Sequence, residues 1–269
     1  MKSYIAILRA RLLTLLQYRK AAFAGICTQM FWALIFNMIF IAFYRGAHTS
    51  ASTIPLHVTL TFNWINQAFW LLIPWNIDKE IERQIKVGSI AYELIRPLNL
   101  YWFLFSRAAA VRIAPLILRT IPYFLLSALF LTVYPVELAH PQSLATLCTF
   151  VASIGCSLIL SSAITTLICL SLFWTLSGEG IVRILPNITI LLSGLIVPLP
   201  LFPSWLQPFL EVQPIRGILD IPCRIYTGLI PLEQSGYYLA FQLAWAAIAI
   251  VLGSYVSKRA IGKLQIQGG

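Results

Sequence analysis

Long apolar runs alternate with short, mostly basic stretches along this chain. A helix needs about 20 apolar residues to cross hydrocarbon about 30 Å thick. The runs predict six crossings, near residues 21–44, 56–75, 112–133, 143–173, 184–200 and 237–257. Ahead of them, Ile5, Leu8, Leu12, Leu15 and Leu16 follow the helical period, with Lys2, Arg9, Arg11, Arg19 and Lys20 set between them. Residues 1–20 therefore read as an amphipathic helix lying in the membrane interface, its basic side chains near lipid phosphates. A signal peptide would have a brief apolar stretch followed by small residues at a cleavage site, and this segment has a different layout.

Composition agrees with that pattern. Of 269 residues 59% are hydrophobic and 10% charged, and the mean hydropathy is +0.83. These values predict an all-α membrane protein, a single domain over residues 1–269 with no room for a sizeable soluble unit. No internal repeat stands out, which weakens the inverted-repeat architecture of secondary carriers. A net charge of +10 would suggest nucleic acid in a soluble chain, but here it reports orientation. With six crossings, fifteen Lys and Arg fall on one side and Arg45, Arg216 and Arg224 on the other. Both termini are expected in the cytoplasm, the chain lying in the inner membrane as a multi-pass protein. Cys27, Cys148, Cys156, Cys169 and Cys223 lack paired spacing, so neither a disulfide framework nor a zinc site is expected.

Charge concentrates at 76–98, between the second and third crossings. Ile77, Ile81 and Ile85 recur on one helical face; Asp78, Lys79, Glu80, Glu82, Arg83 and Lys86 occupy the remainder. Glu82 and Lys86 form a favourable i,i+4 pair, and Gly88 is a plausible C-cap. Such a helix, charged on one side and apolar on the other, either docks into a groove on a soluble partner or rests as a solvated loop helix on the membrane surface.

On the opposite side, prolines interrupt the apolar residues 198–235, at Pro198, Pro200, Pro203, Pro208, Pro214, Pro222 and Pro231. Short re-entrant helices packed on protein would reconcile apolarity with broken helices, forming a lid or an exit gate. Arg216, Asp220 and Arg224 are spaced as an ion-pair ladder. Within the crossings, Asn63, Asn66 and Gln67 share a face, either lining a path or bonding between helices. Thr149, Ser153, Ser157, Ser161 and Thr165 form a packing stripe. Arg119, seven residues after Arg112 on the same helical face, either snorkels toward the cytoplasm or meets substrate.

Phosphate-loop chemistry is missing, since Gly262 and Lys263 lack the preceding glycine and the following hydroxyl residue. Energy from ATP would have to come through a partner. His48, His57 and His140 are scattered, with no metal-site spacing, and no serine sits in a nucleophile elbow.

The stretch from Glu80 to Leu98, with Ile85, Gly88, Leu94 and the triplet Arg96-Pro97-Leu98, resembles the coupling region of ABC-2 type (ABC exporter) permeases. Ser193-Gly194 through Pro198, Pro203 and Trp205 resembles that family's motif before its re-entrant helices. The resemblance implies a transport subunit that pairs with a second permease, identical or related, and binds two cytoplasmic ABC ATPase subunits. It implies no cofactor on this chain, ATP and Mg belonging to the partner ATPases, and no enzymatic activity of its own. It assigns Ile81, Glu82, Ile85, Lys86, Gly88, Glu93, Arg96 and Pro97 to ATPase coupling. Asn63, Asn66, Gln67, Asn187 and Ser193 would lie near a path between the permeases, and Pro198, Pro203 and Trp205 at an outer gate. The expected cargo is an amphipathic small molecule, peptide or lipid-linked compound moving out of the cytoplasm. The alternatives are a stand-alone ion-driven carrier depending on Arg119 and a membrane scaffold without transport.

Overall fold

The computed structural model describes residues 2–46, 54–74, 77–95, 97–133, 136–175 and 179–261. Every regular element among them is helical. The sequence dictates this directly: in apolar surroundings each backbone polar group needs an internal partner, and a helix satisfies them within one segment.

Helix α1 (Lys2–Leu16) ends at a turn over Gln17 and Tyr18, and α2 (Arg19–Gly46) follows. Helix α3 (Leu56–Phe69) continues as a 3-10 turn over Trp70–Leu72. Two short helices come next, α4 (Lys79–Lys86) and α5 (Ala91–Leu94). Helices α6 (Leu100–Pro115) and α7 (Ile121–Val133) are joined by a π-helical turn at Leu116–Thr120. Then follow α8 (Leu144–Thr175), α9 (Glu179–Leu192), α10 (Gln207–Val212), α11 (Asp220–Tyr226) and α12 (Leu232–Ile261).

Four stretches are long and apolar enough to cross a membrane: Arg19–Gly46, Leu100–Val133, Leu144–Trp174 and Leu232–Ile261. Of these, Leu100–Val133 begins twelve residues before the expected 112. Asn99 caps it, its Oδ1 accepting from Tyr101 N at 3.0 Å, and Arg112 does not end it because that side chain is satisfied inside the protein. The fifth apolar run departs most from expectation. Helix α9 stops at Leu192, eight residues short of the expected 200, where Gly194 takes a positive φ of 76°.

Helix α3 lies at the centre, every residue from Val58 to Phe69 being buried. Around Phe62, Trp64 and Ile65 gather Leu72, Tyr123, Leu160, Ile221 and Ile225, forming one apolar core. A second core joins α4 to α6 and α8 through Ile81, Ile85, Tyr101, Leu104, Leu170 and Leu172. The most extensive helix pairing is α8 with α12. It is tied by Gln242, whose Nε2 donates to Gly217 O at 2.6 Å and Ser157 Oγ at 3.1 Å while its Oε1 accepts from Ser153 Oγ at 3.0 Å. The predicted packing stripe therefore also carries an interhelical polar network. The outward surface is apolar on α2, α7 and α12, with Phe31, Met38, Leu125, Leu129, Val251 and Tyr255 exposed, as a face turned to lipid requires.

Candidate functional site

The chain enters α4 at Asp78, which sets the geometry of the charged segment. Its Oδ1 accepts from Glu80 N at 3.1 Å, an N-cap. The same carboxylate pairs with Arg11 of α1 at 2.5 Å and with Arg107 of α6 at 2.8 Å. Asp78 is buried, so one carboxylate fastens α1, α4 and α6 together. Helical spacing alone groups it with the charged residues away from the isoleucine face. Its partners lie 67 and 29 residues away, a separation that no local pattern reveals; an Asp at a helix start was the sole signal.

The apolar face of α4 requires a correction. Ile77, Ile81 and Ile85 are buried in the protein's own second core and are not available to enter a partner's groove. Internal burial of a side chain of this size is worth about 2 kcal/mol relative to exposure, so the face stays inward. The opposite face carries Lys79, Arg83 and Lys86, exposed, beside half-buried Glu80 and Glu82. Arg83 pairs with Glu80 at 2.8 Å and Lys86 with Glu82 at 2.9 Å, the latter as the spacing predicts. The hydrogen bond from Arg83 holds the Glu80 carboxyl below its ordinary pKa, and the same bond raises that of Arg83. Gly88 ends α4 with φ 74°, its N–H donating to Ile85 O at 3.1 Å, as the C-cap reading required. Val87 just before it, and Tyr92 and Ile95 beyond it, are 59%, 75% and 80% exposed. Glu93 is half-buried and Pro97 exposed; Arg96 lies outside the described residues.

The amides of α3 separate by role. Asn63 Nδ2 donates to Ala33 O at 2.7 Å and to Asn37 Oδ1 at 2.6 Å, stitching α3 to α2. Asn66 Nδ2 donates to Gly194 O at 2.8 Å while its Oδ1 accepts from Cys223 Sγ at 3.2 Å, joining α3 to the turn after α9 and to α11. Both are buried within the protomer, so of the two expected roles the structure gives them interhelical bonding. Gln67 lines a cavity between α2, α3 and the end of α9. Ser193 is buried and donates to Ile190 O, whereas Asn187 is exposed on α9.

Arg112 was expected at a boundary and is instead buried in the protein at 1% exposure. Its Nε donates to Ser161 Oγ at 2.6 Å, Nη1 donates to Ala108 O at 2.9 Å, and Nη2 donates to Thr165 Oγ1. Ser161 in turn donates to Leu72 O. Five guanidinium donors need several acceptors, and the hydroxyl stripe of α8 supplies them. Arg119 does not share this environment. The π turn, formed where Pro115 lacks a backbone N–H, shifts the helical register between the two arginines. Arg119 instead faces α2, resting on Gly25, where a Cβ would collide with its guanidinium.

Of the supposed gate residues, Pro198 is buried while Pro203 and Trp205 are exposed. The ladder is present and buried: Asp220 pairs with Arg224 at 2.9 Å and with Arg216 at 3.6 Å. Arg216 also packs over the Tyr238 ring at 5.6 Å, which fastens the short helices to α12. Among the described residues no three His, Cys, Asp or Glu side chains converge as a metal site.

Long apolar helices around a buried polar interior, with one charged surface helix, are those of a multi-pass membrane protein. Residues 29–268 match the family described as ABC-2 family transporter protein, and the chain belongs to that family. It is a membrane transport component, which does not favour the ion-driven carrier. No curated protein and no solved structure matches the chain.

Proposed function

We propose that this protein is the permease subunit of an ATP-driven exporter, moving an amphipathic small molecule, peptide or lipid-linked compound out of the cytoplasm. Six crossings are completed by α3 with its 3-10 extension and by α9, both shorter than the four long spans. The basic bias then sets both termini in the cytoplasm of a chain in the inner membrane, with α1 in the interface against lipid. The whole chain acts as one domain. Two cytoplasmic ABC ATPases, holding ATP and Mg, supply the energy, and a second permease completes the path. The exposed apolar stripe Ile184, Ile188 and Leu191 of α9 supports such a pairing.

The observation that carries this reading is the build of α4 and α5. Val87 at the end of α4, Tyr92 on α5 and Ile95 just after it are exposed, while Asp78 fastens the start of α4 to α1 and α6. A push on Glu82, Lys86, Gly88, Glu93 or Pro97 is thereby passed to a helix that continues across the membrane. Ile81 and Ile85 serve as the buried root of that lever. Pro203 and Trp205, with buried Pro198, flank the opposite end of the path.

Purification of the tagged chain from its native membrane in mild detergent tests this. The expected result is a stoichiometric P-loop ATPase with vanadate-sensitive turnover, uncoupled from transport by Glu82→Lys or Gly88→Pro. A pure chain with no ATPase, or normal transport in both variants, would overturn it.

A further inference from the structure

Arg119 lies well inside the 34-residue span Leu100–Val133, where a cation is costly unless it meets protein, water or an anion. Its environment differs from that of Arg112. Its one hydrogen bond among the described residues is a long one, Nη2 to Ala21 O at 3.5 Å, and it joins no ion pair there. The guanidinium lies at the wall of a cavity of about 310 Å³ bounded by α2, α3, the π turn and the end of α9. A volume of this order lies within the range of small-molecule sites.

Gln29 lines the same cavity. It is only 3% exposed, and neither its amide nitrogen nor its amide oxygen has a hydrogen-bond partner among the described residues. An unpaired buried amide costs about 1–3 kcal/mol, so a partner arriving from the cavity recovers that cost. Gln67 adds a second amide, and Trp32, Phe36 and Trp70 supply aromatic walls. No carboxylate among the described residues lines the space. Gly25 is the position that makes room for the cation, since any side chain there would displace it. A second cavity, about 130 Å³, reaches Arg119 from Leu15 and Tyr18 beside α1.

From this arrangement we infer a binding site for an amphipath with one anionic head and an apolar body. The head is held by Arg119 and by the Gln29 amide, a charge-assisted contact of the kind guanidinium groups make with phosphate, sulfonate or carboxylate. The apolar body lies against Trp32, Phe36 and Trp70. The ligand comes from either of two sources with this chemistry, an anionic lipid of the bilayer or a soluble cargo. As the site of a cargo it rests on the exporter reading; as a binding site it rests on the cavity alone.

The test uses the full chain in phosphatidylcholine nanodiscs and two dyes with one aromatic skeleton, anionic 1-anilinonaphthalene-8-sulfonate and neutral N-phenyl-1-naphthylamine. Energy transfer from tryptophan, corrected with empty nanodiscs, reads the protein-bound dye. The sulfonate is expected to bind saturably, about tenfold more weakly in Arg119→Gln and within about threefold of the parent in Arg119→Lys. The neutral dye should show no such difference, and Gly25→Leu should block both. Repetition with phosphatidylglycerol in the bilayer separates the sources: competition identifies a lipid occupant, and unchanged sulfonate binding identifies a soluble one. Equal sulfonate binding by the parent and Arg119→Gln, or no saturable component, overturns the site. The permease alone is measured, so a chain that binds the sulfonate but recruits no ATPase refutes the exporter and leaves the site standing.

Discussion

Arg11 of the first helix and Asp78 at the start of α4 meet at 2.5 Å, across 67 residues of sequence. The contact fixes α1 to the start of α4, and Arg107 completes it from α6. A displacement of α4 is therefore a displacement of both neighbours. Asp78→Asn keeps an oxygen for the cap but removes the charge. It is expected to destabilise the protein by about 3 kcal/mol, the cost of leaving partly buried cations without their counterion. Thermal unfolding in detergent checks this, and transport should fall even where the variant still binds its ATPase.

The buried Arg112 cluster makes a different kind of claim. Ser161→Ala removes an acceptor from a buried guanidinium and should cost about 2 kcal/mol. Arg112→Met combined with Ser161→Ala should cost clearly less than the two single losses added, because both remove the same interaction. Denaturant unfolding of the four proteins in micelles measures that coupling.

Asn63 and Gln67 sit four residues apart on α3 yet should respond oppositely. Asn63→Ala breaks the bond to Asn37 and should lower stability by about 2 kcal/mol, with no change in which compounds are carried. Gln67→Ala should leave stability within about 0.5 kcal/mol and alter ligand dependence, since its amide faces the cavity. Thermal unfolding paired with a transport assay separates the two.

Much of this was legible in the chain because it depends on neighbours three or four residues apart. The Glu82–Lys86 pair, the left-handed Gly88 and the Arg216–Asp220–Arg224 cluster all follow from helical spacing. Periodicity gives the direction of a face but not what covers it. Ile81 and Ile85 thus read as a docking surface, although α6 and α8 already bury them. The same limit hid the partners of Asp78 and the use of the α8 hydroxyls by Arg112. For Arg119 the period itself misled, since the π turn after Pro115 moved it off the face that spacing assigned.

The most direct test of the account is a photo-crosslinking amino acid placed at Tyr92, the exposed apolar position beyond α4, in cells that carry the native transporter. The account predicts capture of a P-loop ATPase from Tyr92 and from Ile95, and none from the buried position Ile81. Capture from Ile81 with nothing from Tyr92 or Ile95, or no ATPase from any of the three, would contradict it.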